Sequence, residues 1–185
     1  MNIRFTHPDD VPAITVMLND EIVNGVAHFG TEPIDEAEIR KQLQDAGDRF
    51  PWYTAADEDG RFLGFCKAGA WSPRGGYNWT AEITIYIMKH AQGRGVGKAL
   101  YTRLLDTLRA QRFQIIVAGI SEPNPASVGL HTSIGMEQTG YNATMGYKHG
   151  RWIDVSYYQM VLGDLADPPP PVLTISEAIG DRDNG

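Results

Sequence analysis

Glu82 is the single charged residue in the run Ala81-Glu82-Ile83-Thr84-Ile85-Tyr86-Ile87, and a carboxylate so placed can accept a proton from a bound ligand. Side chains alternate along a strand, so Glu82, Thr84 and Tyr86 share one face while Ile83, Ile85 and Ile87 share the other. If the isoleucine face packs on helices, Glu82 points to the opposite side, and partial burial there raises its pKa toward a useful range. A solvated charge on an edge strand is the competing reading. Shortly after this run comes Gln92-Gly93-Arg94-Gly95-Val96-Gly97-Lys98-Ala99. A strand that runs into three glycines and then a helix gathers backbone N–H groups at the helix N-terminus. Orphan donors and the positive end of the helix dipole favour phosphate there. The alternative is a tight strand-to-helix turn that needs small residues.

These residues need a scaffold, and the hydrophobic pattern predicts a mixed α/β one. Residues 3–6 read as an opening strand, and Pro8-Asp9-Asp10 begins a helix whose apolar stripe is Val11, Ile14, Leu18 and Ile22. Asp35 followed by Glu38 resembles a capping box for a second helix. Residues 52–56 and 61–71 read as two strands around the turn Asp57-Glu58-Asp59-Gly60, and a loop with Pro73, Gly75 and Gly76 leads into the strand 79–87. The glycine run opens a helix over 95–112, with Leu100, Leu104, Leu105 and Leu108 on its inner face. A continuous apolar strand over 114–120, a helix over 126–134 and two strands over 138–145 and 152–162 complete the order, the last two joined by a Lys148-His149-Gly150 turn. Residues 1–163 read as one domain. Residues 164–185, with Pro168-Pro169-Pro170-Pro171 and the ending Asp181-Arg182-Asp183-Asn184-Gly185, read as a tail that is extended or disordered.

Composition narrows the function classes. A chain of 185 residues that is 42% hydrophobic can bury one sizeable core. A formal net charge of −7 argues against general binding to nucleic acid or to an anionic membrane. No apolar run approaches a membrane span, and the opening Met1-Asn2-Ile3-Arg4-Phe5 carries no signal-peptide core. The lone cysteine, Cys66, cannot form an internal disulfide, which fits a cytoplasmic setting, and on a strand it reads as inert packing rather than a nucleophile. No His or Cys pair has metal-ligand spacing, so no metal is expected.

The combination of Gln92-x-x-Gly95-x-Gly97 with Asn124-x-x-Ser127-x-x-Leu130-His131-x-x-x-Gly135-Met136 resembles the GNAT superfamily of acetyl-CoA-dependent N-acetyltransferases. Phe29-Gly30-Thr31-Glu32-Pro33, Arg74-Gly75-Gly76-Tyr77-Asn78-Trp79-Thr80-Ala81-Glu82 and Tyr147-Lys148-His149-Gly150-x-Trp152-x-Asp154-Val155 look like the phosphinothricin acetyltransferase branch, with its methionine sulfoximine and methionine sulfone acetyltransferases. The match spans essentially the whole chain.

The resemblance implies a GNAT fold, a mixed sheet splayed between the fourth and fifth strands. It implies acetyl transfer from acetyl-CoA to the α-amine of a glutamate- or methionine-like amino acid by direct attack, in a cytoplasmic homodimer. The cofactor's pyrophosphate would sit on Gln92, Gly93, Arg94, Gly95, Val96, Gly97 and Lys98. Its pantetheine arm would bond the backbone of Ile85, Tyr86 and Ile87, with Asn124 and Ser127 on the far side. Glu82 would be the base. His131 stands where many relatives carry a tyrosine that protonates the departing thiolate; it would act as that acid, relay a proton, or sit hydrogen-bonded in the core. Arg74 would clamp an anionic group of the substrate, with Phe29 and Tyr77 as pocket walls. Ser72 stands where well-known members carry a lysine, which puts phosphinothricin itself in doubt. The other readings are a polyamine or protein N-terminus as acceptor, or a non-catalytic acetyl-CoA-binding module.

Overall fold

Among the described residues, seven strands form one sheet. The computed structural model describes residues 1–180. In chain order the elements are β1 (Asn2–Phe5), α1 (Val11–Asn24), α2 (Glu36–Ala46), β2 (Trp52–Ala56), β3 (Phe62–Ala70), β4 (Thr80–Ile87), α3 (Val96–Ala110), β5 (Ile115–Glu122), α4 (Pro125–Ser133), β6 (Glu137–Lys148), β7 (Arg151–Val161) and α5 (Ile175–Ile179). The strands lie in the order β1-β2-β3-β4-β5-β7-β6, and all pairs are antiparallel except β4–β5, which is parallel. Pro8–Asp10 forms a 3-10 turn and α1 itself begins at Val11. The Asp10 carboxylate takes two hydrogen bonds from the Arg4 guanidinium, at 2.6 and 2.8 Å, which anchors the turn to β1.

Strand alternation builds a core on each face of the sheet. On one face Tyr53, Cys66, Ala68, Ile83, Ile116 and Ala118 pack against the leucine stripe Leu100, Leu104, Leu105 and Leu108 of α3. On the other, Trp52 and Phe65 pack against Val11, Ile14 and Leu18 of α1 and Ile39 of α2. Each fully buried leucine contributes about 1.5–3 kcal/mol, so the α3 stripe is what holds the glycine loop at its N-terminus in place.

The β4–β5 pairing registers only Thr80–Glu82 against Ile115–Val117, after which the strands part. At the far edge, β6 and β7 join through His149 (φ 51°) and Gly150 (φ 73°); both turn residues are left-handed, as a two-residue type I′ hairpin requires.

The chain after β7 runs without regular structure to Leu173, and it is held rather than loose. Trp79 donates its indole N–H to Pro170 O at 2.6 Å, and Leu173 N donates to Gln111 O at 2.8 Å. Helix α5 is a feature that the proline content concealed. Thr174 caps it by accepting from Glu177 N, and the Glu177 carboxylate bonds back to Thr174 N. Residues 181–185, the end of the predicted tail, lie outside the described residues.

Candidate active site

The register of β4 decides which of its backbone groups are free. Pairing with β3 is unbroken from Gly64–Ile87 to Ala70–Ala81, and one step further Met88 N donates to Leu63 O at 2.9 Å. Hydrogen-bonded pairs alternate in an antiparallel ladder. Glu82, Thr84 and Tyr86 therefore bond their backbone to β3, whereas Ile83, Ile85 and Ile87 turn theirs away from it. Across the gap, Leu162 N donates to Gln114 O and sets the same alternation for β5 against β7. Gly119 and Ser121 thus turn their backbone away from β7. Where β4 and β5 part, a cavity of about 470 Å³ opens between these groups. The arrangement is a sheet edge turned inward, fit to pair with an extended ligand carrying amide groups.

The register corrects one expectation. Ile85 offers its backbone to the cavity and Ile87 its N–H, the Ile87 carbonyl being taken by Gln92 Nε2 at 3.2 Å, but the Tyr86 backbone belongs to β3. Tyr86 lines the cavity with its side chain, stacked on Phe65 at 5.8 Å, its hydroxyl 3.5 Å from Ala27 O; burial raises the phenol's pKa.

At the cavity's other end, Gly93 (φ 71°) and Gly95 (φ 79°) are left-handed, a conformation natural only to glycine here. A Cβ at either would meet nothing within 4 Å, so backbone geometry rather than crowding requires them. Gly95 is the N-cap of α3 without a side-chain cap bond, which leaves first-turn N–H groups for an anion. At Gly97 the reason is closeness: a Cβ would stand 2.9 Å from Leu130 Cδ2, where α3 meets α4. Gln92, Gly93, Gly95, Val96, Gly97 and Lys98 line the cavity; Arg94 is exposed and does not.

Asn124 and Ser127 also line it. Asn124 Oδ1 accepts from Ser127 N at 3.1 Å and caps α4, so its amide N–H₂ is the group left for a ligand. His131, 3% exposed, reaches the cavity wall from the same helix. Its Nδ1 lies 2.7 Å from Ser127 O, which can only accept, so Nδ1 carries the hydrogen. In the neutral ring Nε2 is then an acceptor, and Tyr101 O–H fills it at 2.9 Å. Burial lowers the His131 pKa and raises that of Tyr101. The imidazole is therefore neutral near pH 7, which disfavours a resident imidazolium. Tyr101, absent from the sequence reading, lines the cavity too.

Glu82 stands at the fork where β4 and β5 separate, half-buried and lining the cavity. Burial raises its pKa, and the charge of Lys67 opposes that shift. A carboxylate with raised proton affinity at the end of such a cavity is suited to take a proton from a ligand.

Phe29, Arg74 and Tyr77 do not line this cavity. Phe29 covers Gly146 of β6, where a Cβ would stand 2.6 Å from its ring. Its loop is tied to the hairpin by Lys148 Nζ, which donates to His28 O at 2.6 Å and Glu21 O at 3.2 Å. Arg74 and Tyr77 sit in the exposed loop between β3 and β4. Sequence reasoning also missed Ser121, whose buried Oγ lines the cavity without a protein partner. Cys66 is fully buried, and burial raises its thiol pKa, so it is no nucleophile. Among the described residues no group of three or more His, Cys, Asp or Glu could hold a metal. Among them, too, no helix is long and apolar enough to cross a membrane.

The sequence pattern of the Acetyltransferase (GNAT) family matches residues 17–136. The chain belongs to that family. This GNAT acetyltransferase is 37% identical over 177 residues, covering 96% of each chain, to the phosphinothricin N-acetyltransferase of Streptomyces viridochromogenes. It is 34% identical over 170 residues to the L-methionine sulfoximine/L-methionine sulfone acetyltransferase of Pseudomonas paraeruginosa, covering 91% of this chain and 98% of that one. Its fold matches the crystal structure of a GNAT-superfamily phosphinothricin acetyltransferase from Sinorhizobium meliloti in complex with acetyl-CoA. The TM-score is 0.87 with 32% identity, over 92% of each chain.

Proposed function

We propose that this N-acetyltransferase moves the acetyl group of acetyl-CoA directly to the α-amine of a glutamate- or methionine-like amino acid, in the cytoplasm. The observation that carries the reading is Glu82 at the β4–β5 fork, half-buried beside a strand edge that β5 leaves unpaired and a glycine-bounded helix terminus. Bound acetyl-CoA supplies an activated thioester. The backbone of Ile85 and the N–H of Ile87 would hold its pantetheine arm, with Asn124 and Ser127 across the gap. The first-turn N–H groups of α3, with Lys98, take the pyrophosphate.

Glu82 removes a proton from the incoming ammonium, because only the neutral amine has a lone pair with which to attack. Raised proton affinity brings the carboxylate nearer the amine's own range and makes that transfer less uphill. As the C–N bond forms and the C–S bond breaks, the nitrogen sheds its second proton to the departing thiolate, and the hydrogen-bonded pair of Tyr101 and His131 in the cavity wall can relay it. No protein nucleophile takes part. Holding amine and thioester in one cleft supplies much of the acceleration.

The assembly in this reading is a homodimer, supported by the exposed aromatic side chains of Tyr141, Tyr147 and Trp152 on the β6–β7 hairpin. Sedimentation equilibrium reads that mass directly. The chemistry is tested by release of CoA from acetyl-CoA in the presence of phosphinothricin, methionine sulfoximine, methionine sulfone, glutamate or spermidine. Turnover of an amino acid but not spermidine supports the reading; turnover of spermidine alone refutes the acceptor class.

A further inference from the structure

A second cavity, of about 300 Å³, opens between α2 and the β2–β3–β4 face of the sheet. It is lined by Gln42, Trp52, Lys67, Gly69, Glu82 and Thr84, among others, so Glu82 belongs to both cavities. The register explains how. Thr84 pairs with Lys67 and Glu82 with Gly69, and all four residues share one face. Lys67 and Glu82 are thus diagonal neighbours on adjacent strands. Gly69 puts no side chain between them, and a Cβ there would meet nothing within 4 Å.

Lys67 has only neutral partners. Its Nζ donates to Gln42 Oε1 at 2.9 Å and lies 4.5 Å from the centroid of the Trp52 ring. No carboxylate among the described residues comes within ion-pair distance of it. Burial accordingly lowers its pKa, with Glu82 acting the other way. A cation shielded from water without an anion is costly, and that cost is relieved by a ligand that brings one. Asp45, the other carboxylate in this lining, is exposed and engaged by Lys41. Arg74 lines neither cavity.

We propose that the second cavity is the acceptor subsite and that Lys67 binds the α-carboxylate of the amino acid. The α-amine, one carbon away, then meets Glu82 where the two cavities join. Lys67 discriminates substrates by charge, accepting an α-amino acid and disfavouring a simple amine. The inference rests on the reading that the acceptor is an α-amino acid.

The test is steady-state kinetics of the full chain with L-methionine sulfone and with its carboxamide, for wild type, Lys67→Met and Lys67→Arg. Wild type should favour the acid. Lys67→Met should raise KM for the acid about tenfold or more, while KM for the amide and for acetyl-CoA stays within about twofold. Lys67→Arg, which retains the charge, should restore much of the preference and controls for folding. Equal KM values for acid and amide in wild type would overturn the subsite and leave the amino-acid acceptor standing. So would a Lys67→Met variant that changes both KM values alike, or one that shifts only the pH profile of kcat through Glu82. A wild-type enzyme that acetylates neither compound but does acetylate spermidine would overturn the acceptor class, and the subsite with it.

Discussion

Tyr101 gives its phenolic hydrogen to His131 Nε2, and the direction of that bond is set at the opposite side of the imidazole by the Ser127 carbonyl. The pair behaves as one unit, with a proton on Tyr101 oxygen and a basic nitrogen behind it. Tyr101→Phe removes the proton and leaves Nε2 buried without a donor. The variant should lose about a hundredfold in kcat while KM for acetyl-CoA moves little. Its melting temperature should fall by an amount equivalent to about 1–3 kcal/mol. Unchanged kcat in a folded Tyr101→Phe protein would remove the pair from the reaction.

His131 also ties stability to pH. Its folded pKa lies below the ordinary imidazole value of about 6.5, so the unfolded chain binds the proton more readily. The stability contributed by the neutral ring is complete above that value and declines as pH falls through it toward the folded pKa. Melting temperatures measured between about pH 5 and 8 should show this decline, and His131→Gln should flatten it.

Glu82→Gln removes the proton acceptor with little change in shape. It should cut kcat/KM for the amine by about 10²–10⁴-fold and leave acetyl-CoA affinity nearly unchanged. In wild type, the ascending limb of the pH–rate profile should lie above the usual carboxylate range, because burial raises the Glu82 pKa and the base works only when ionised. Lys67→Met should move that limb further up, since it removes the charge that opposes the shift.

Gln111 is fully buried and its Nε2 donates to Arg49 O at 2.9 Å and to Leu173 O at 3.1 Å. Gln111→Met fills similar space but leaves both carbonyls without their donor. A loss of about 1–3 kcal/mol in denaturant unfolding is expected. Limited proteolysis should then cut first between β7 and α5.

What the sequence disclosed and what it hid divide along local and non-local lines. The alternation that sets Glu82 apart from Ile83 repeats every second residue, and the left-handed glycines announce themselves by composition, so both were readable one strand at a time. Lys67 was not, because its meaning depends on the β3–β4 register and on Gly69 standing opposite Glu82. Tyr101 was passed over, since nothing in α3 says that His131 of α4 lies against it. Tyr86 was assigned a backbone role that only Met88–Leu63 pairing could exclude. Arg74 and Tyr77 lie on an exposed loop whose path no local pattern encodes. Helix α5 hid within a proline-rich stretch although Thr174 and Glu177 carry the cap that starts it.

The inward-facing edge of β4 has a consequence for the lifetime of the protein. A strand with backbone groups that no neighbouring strand meets is an incomplete part of the sheet, and a cofactor that pairs with Ile85 and with the N–H of Ile87 completes it. Ligand and fold then share one equilibrium. At a hundredfold excess over Kd such a ligand adds about 2.7 kcal/mol to the native state, comparable to burying another large side chain in the core. The abundance of the acyl donor would then govern how long each molecule survives, as well as how fast it works.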